Sequence, residues 1–133
     1  MTTRFRTCMF AVIAAAALLS PSADAQTART GKLMREKLLH SQRILAALTT
    51  SDYALLQRET RALTKVTENP EWNESMTGEL RAFTGSFTRA LANLSAAAER
   101  RDYDSAAASY AALTTACLSC HKHVMNARIA RKD

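Results

Sequence analysis

The sequence predicts an all-α fold, an antiparallel up-down-up-down four-helix bundle, and three observations carry that expectation. Beyond residue 25 the chain has three glycines and one proline and is rich in alanine and leucine, residues that enter a helix at little cost. Apolar residues recur at spacings of three and four over four separate stretches, the mark of helices with one buried face. The connections between those stretches are short, which makes successive helices antiparallel neighbours.

Residues 1–25 read as a secretory signal peptide. Arg4 and Arg6 form a basic start, Cys8 to Leu19 is an apolar run, and Ala23-Asp24-Ala25 offers small residues for cleavage. The apolar run is short for a bilayer span, and none follows it. One helical domain is expected over 26–133.

The first predicted helix runs from about Thr30 to Leu48, with Met34, Leu38, Ser41, Leu45 and Leu48 on one stripe and Arg35, Glu36 and Arg43 opposite. Thr49 to Asp52 supplies a turn and a cap for a second helix, Asp52 to Thr67, burying Tyr53, Leu56, Leu63 and Val66. Pro70, within Glu68-Asn69-Pro70-Glu71-Trp72-Asn73, marks the clearest loop. A third helix carries Met76, Leu80, Phe83, Phe87, Ala90, Leu94 and Ala97 at heptad spacing. Gly78 and Gly85 weaken it or admit close approach of a neighbour. Arg100-Arg101-Asp102 makes the next turn, and the fourth helix aligns Tyr103, Ala106, Tyr110, Leu113, Cys117, Cys120 and Val124.

Within that last stripe stands Cys117-Leu118-Ser119-Cys120-His121. C-x-x-C-H is the attachment signature of c-type haem: two thiols add to the two vinyl groups, and the adjacent imidazole bonds the iron. Spacings of three and four put all three side chains on one helix face, the core-facing one. A zinc site would need a second ligand pair, which the chain lacks, and a thioredoxin-type pair would need a preceding strand. Covalently bound haem c is therefore the expected cofactor. Cys117 and Cys120 would hold it, and His121 would be the proximal iron ligand. A haem-free helical binding protein with a Cys117–Cys120 disulfide is the alternative from another class.

Losing two arginines and one aspartate with the leader lowers the formal net charge from +6 to +5. The basic residues are scattered and not interleaved with aromatics, which argues against nucleic acid and leaves acidic protein redox partners. With no thiols remaining for a disulfide framework, export fits haem attachment outside the cytoplasm, and a periplasmic location is expected. Lys122, Arg128, Arg131 and Lys132 gather near the motif. There they suit a helix C-terminus and would also steer an acidic partner.

In an antiparallel bundle the start of the first helix lies beside the end of the fourth. Haem held there would face Met34, Val66, Trp72, Met76 and Leu80. Met34 is the expected distal iron ligand, from the correct end and the centre of its stripe, with Met76 its rival; methionine opposite histidine raises the potential and suits electron transfer. Met125, one turn past His121, is expected on the proximal side, and His40 and His123 at the surface.

The motif, the Lys32-Leu33-Met34-Arg35 stretch and the Pro70–Trp72 segment together resemble the class II c-type cytochromes, the group of cytochrome c′. The resemblance covers essentially all of 26–133. It implies one of two behaviours. High-spin members leave the sixth position empty behind an apolar residue of the first helix and bind nitric oxide or carbon monoxide, whereas low-spin members place a methionine there and carry electrons. Met34 matches the second. Met125 stands where the family commonly has arginine or lysine, four residues after the haem histidine. Pairing of two copies through the first two helices is a further implication. The expected function is one-electron transfer by a monohaem periplasmic cytochrome that is no enzyme, with gas binding by five-coordinate iron as the alternative.

Overall fold

The computed structural model describes residues 23–74, 76 and 78–130, and only the backbone of residues 23, 24, 26, 73 and 74. The basic start and apolar run of the leader, with Arg131 and Lys132, lie outside the described residues. Within them are five helices and no strand: α1 (Ala23–Thr49), α2 (Tyr53–Thr67), α3 (Pro70–Glu74), α4 (Gly78–Arg100) and α5 (Tyr103–Ile129). The four long ones form the expected bundle. α1 packs chiefly on α2 and α4 on α5, with α2 against α4 and α1 against α5 closing the circuit.

Both helical hairpins turn by the same device. The chain leaves α1 through Ser51 at φ 53° and leaves α4 through Arg101 at φ 55°. The next residue is an aspartate in each case. Its N–H donates back to the preceding helix, Asp52 to the Ala47 carbonyl at 2.9 Å and Asp102 to the Ala97 carbonyl at 3.0 Å. Its carboxylate then caps the following helix, accepting from the N–H of Leu55 at 2.9 Å or of Ser105 at 3.1 Å. Orphan carbonyls of one helix and orphan amides of the next are thus satisfied within three residues.

The Pro70 segment differs from expectation: it is a short helix, not a loop. Asn69 accepts the Glu71 N–H at 2.9 Å, and Pro70 takes the first helical position, where its missing N–H costs nothing. This turn drives Trp72 inward to 2% exposure.

The core is built from Ile44, Leu56, Leu63, Leu94 and Leu113, each 1% exposed or less, with alanines 97, 98 and 106 allowing close helix approach. Burying such a side chain contributes roughly 1.5–3 kcal/mol. The second, third and fourth predicted faces hold in outline, though Tyr53 and Val66 are only half-buried and Tyr103 is 47% exposed.

α1 is longer than expected and turned from the expected stripe. No glycine or proline stands between Ala23 and Thr30, so nothing halts the helix before the predicted cleavage position. Leu38 and Leu45 are exposed at 59% and 47%, while Leu33, Ile44, Ala47 and Leu48 are buried. The cause is a polar contact on α2. Glu59 is buried, and His40 turns inward to meet it, Nδ1 to Oε2 at 2.8 Å. Arg58 donates from Nε to its other oxygen at 3.2 Å, and Arg43 lies 3.8 Å away. Satisfying a buried carboxylate outweighs the small gain from burying one leucine in place of another.

A Cβ added at Gly78 or Gly85 would meet nothing within 4 Å, so neither glycine serves the approach of a neighbouring helix.

Candidate cofactor site

At the end of the bundle where α1 begins and α5 ends lie two cavities of about 390 and 610 Å³, within the range of small-molecule and cofactor sites. Cys117 lines the first; Cys120, His121, Met34 and Trp72 line both. The motif residues thus share one side of the site, as the helical spacing dictates. Both cysteines are half-buried free thiols, and His121 is exposed at the cavity rim. Burial raises both thiols above the ordinary cysteine range, against the opposing pull of the Lys37 ammonium. Among the described residues, no group of three or more His, Cys, Asp and Glu converges as a set of ligands for a bare metal ion. Two free thiols three residues apart, an imidazole beside them and an apolar cavity at their feet fit covalent haem.

The opposite wall is Met34 from α1, Trp72 from α3, and Phe83 and Phe87 from α4. The bundle thus brings Met34, Trp72, Met76 and Leu80 to the site, while Val66 lines neither cavity. Met76 lies on the second cavity, its sulfur accepting from the Thr84 hydroxyl at 3.5 Å. Met125 is 58% exposed yet lines that same cavity with Met34.

Two histidines expected at the surface are half-buried and structural. His40 holds Glu59. His123 bridges α5 to α4, its Nε2 3.2 Å from Glu79 and its ring 5.5 Å from that of Phe83. Above the first cavity the Tyr110 hydroxyl donates to the Ser41 carbonyl at 3.0 Å and ties α5 to α1. Lys122 and Arg128 are exposed on the last turns of α5.

Lys37 is the site residue that the sequence reading passed over. Its ammonium lies 4.2 Å from the centre of the Trp72 ring and 4.0 Å from that of Phe87, within the first cavity. Burial lowers its pKa from the usual lysine range, with the charge of Cys117 and Cys120 working the other way. The signal was available in the spacing, since Lys37 stands three residues after Met34 on the same face.

A four-helix up-down-up-down bundle with a two-thiol, one-imidazole site at one end is the architecture these observations define. Solved structures of cytochrome c prime from Alcaligenes xylosoxidans share its fold. A ferrous variant with bound NO superposes with a TM-score of 0.65 at 16% identity, over 74% of this chain and 93% of that one. A nitric oxide complex of a mutant of the same protein gives 0.66 at 16% identity, over 77% and 95%. No family model and no curated protein matches the chain.

Proposed function

We propose that this chain is a monohaem c-type cytochrome of the cytochrome c′ kind, exported to the periplasm, that binds a diatomic gas on the distal side of its haem. Cys117 and Cys120 would hold the haem and His121 would be the proximal ligand. When bound, the haem supplies an iron that takes up nitric oxide or carbon monoxide, and no substrate is transformed. The observation that carries the reading is the cavity walled by Cys117, Cys120 and His121 on one side and by α1, Trp72, Phe83 and Phe87 on the other. Its walls are chiefly apolar, with Arg35 and Lys37 as charged members, and suit the apolar body of a haem. The fold neighbours, both nitric oxide complexes, support it. Among the described residues no helix is long and apolar enough to cross a membrane.

A second reading, electron transfer between protein partners of acidic surface, is favoured by Met34, which lines both cavities beside Cys120 and His121. A thioether bound opposite histidine would close the iron to gases and raise its potential.

Visible spectra of ferric and ferrous protein, with and without carbon monoxide, separate the two. A high-spin ferrous spectrum that shifts at once with carbon monoxide, in wild type and in Met34→Leu alike, is the expected result. A sharp low-spin spectrum indifferent to the gas until Met34 is replaced would overturn gas binding in favour of electron transfer. A colourless protein with no covalent mass increase would overturn both.

A further inference from the structure

The outward flank where α1 meets α2 is basic and lies apart from the two cavities. On α2, Arg58, Arg61 and Lys65 recur at spacings of three and four, so they share one face, and all three are exposed. The one carboxylate of that helix, Glu59, is buried. On α1, Lys32, Leu39 and Arg43 also recur at helical spacing and are exposed, while Glu36 between them is half-buried. None of these residues lines either cavity.

Glu59 joins the two helix faces into one surface. Nε of Arg58 is 3.2 Å from one of its oxygens, and Nη1 of Arg43 is 3.8 Å from the other. The buried carboxylate thus holds a guanidinium from each helix at the seam, while the two side chains stay 69% and 52% exposed. Among the described residues no salt bridge reaches Lys32, Arg61 or Lys65. Leu39, 43% exposed, gives the basic surface an apolar member.

The chemistry of this surface selects its occupant. A two-fold pair would present the patch to itself, and like charges brought face to face oppose association. Membrane-surface segments seat aromatic anchors beside their cations. Here Trp72 is buried, and the exposed aromatic among the described residues, Tyr103, opens α5 on the other hairpin. Arginine, three of the five cations, takes a carboxylate by two parallel hydrogen bonds and is enriched at protein interfaces.

We propose that the α1–α2 face docks an acidic surface of another protein, whose carboxylates meet Arg43, Arg58, Arg61 and Lys65 beside Leu39. It stands on the other hairpin from Lys122 and Arg128, the cations to which the sequence pointed. The inference holds whatever the cavities bind.

The probe is poly-L-glutamate, with mixed phosphatidylglycerol and phosphatidylcholine vesicles as the lipid comparison. Wild type is set against Arg61→Gln/Lys65→Gln and against Arg81→Gln/Arg89→Gln, which removes the same charge from exposed positions on α4. Both variants spare the contacts of Glu59 and should melt as wild type does. Wild type should bind polyglutamate more tightly, per anionic charge, than it binds the vesicles. That affinity should fall about threefold or more in the α2 variant and change by less than about twofold in the α4 variant. No binding of polyglutamate by wild type would overturn the proposal, as would equal losses in the two variants, which would leave only net charge. Vesicles bound more tightly than polyglutamate would overturn it in favour of a lipid surface. Sedimentation showing a dimer that tightens in Arg61→Gln/Lys65→Gln would overturn it in favour of a second copy.

Discussion

Nδ1 of His40 lies 2.8 Å from Oε2 of Glu59, across the interface of α1 and α2, and the carboxylate it meets is only 3% exposed. Burial alone would raise the pKa of Glu59. The hydrogen bonds from His40 and Arg58, with the charge of Arg43, outweigh that and hold the group below the ordinary glutamate range.

Glu59→Gln should therefore destabilise the fold by about 1–3 kcal/mol at neutral pH, measured by chemical denaturation. Because the folded pKa is depressed, the stabilisation is present above the ordinary glutamate range. It is lost as pH falls through that range toward the folded value. Wild type and variant should converge in acid; a difference that persists there would rule out ionisation of Glu59 as its cause.

The two turns give predictions of opposite sign from adjacent residues. Ser51→Gly relieves a left-handed backbone and should raise stability by about 0.5–1 kcal/mol. Asp52→Ala removes the cap on Leu55 and should lower it by about 1 kcal/mol. Thermal unfolding of the two variants reads both, as shifts of several degrees in opposite directions.

Gly85→Ala tests whether that glycine serves packing. With open space around the added methyl, helix propensity predicts a gain of up to about 1 kcal/mol. A loss in the haem-bound protein, read by the same melting curve, would reveal that the cofactor itself needs the room.

Trp72→Ala would enlarge both cavities, since Trp72 lines both. A loss of about 3–5 kcal/mol is expected from deleting so large a buried ring. Denaturation curves of the protein check this, and a loss below about 1 kcal/mol would mean that burial of the Trp72 ring contributes little to the fold.

Intact mass separates the roles of the motif residues. Replacing both Cys117 and Cys120 by serine should abolish the covalent haem mass, whereas His121→Ala should keep it and lose the proximal bond, seen in the visible spectrum. Haem mass retained in the double variant would exclude thioether attachment at these residues.

Much of this was legible before any coordinates. Helix composition and stripe spacing announced the bundle, and C-x-x-C-H on the core face of the last helix pointed to the end where the two cavities lie. The stripe of α1 was misread because Leu38, Leu39 and Leu45 make several apolar faces equally plausible. The choice among them falls to Glu59, a residue on another helix that no local period can report. Pro70 was misread as a loop because proline both ends helices and starts them, and the capping Asn69 before it was the deciding cue. Lys37 escaped because a lysine on an apolar stripe is ordinarily explained by its stem reaching solvent, whereas here two rings from α3 and α4 hold its ammonium inside.

The two hairpins also fix when the pocket can exist. Its walls come from α1, α3 and α4 and its motif residues from α5, so the pocket is complete only once α1 and α5 have met. Closing contacts between chain ends is the slow, entropically costly part of folding. For that interval the thiols of Cys117 and Cys120 sit on a trailing segment that nothing yet covers. If Cys117 and Cys120 hold haem as proposed, their thiols are open to attachment before α1 encloses them.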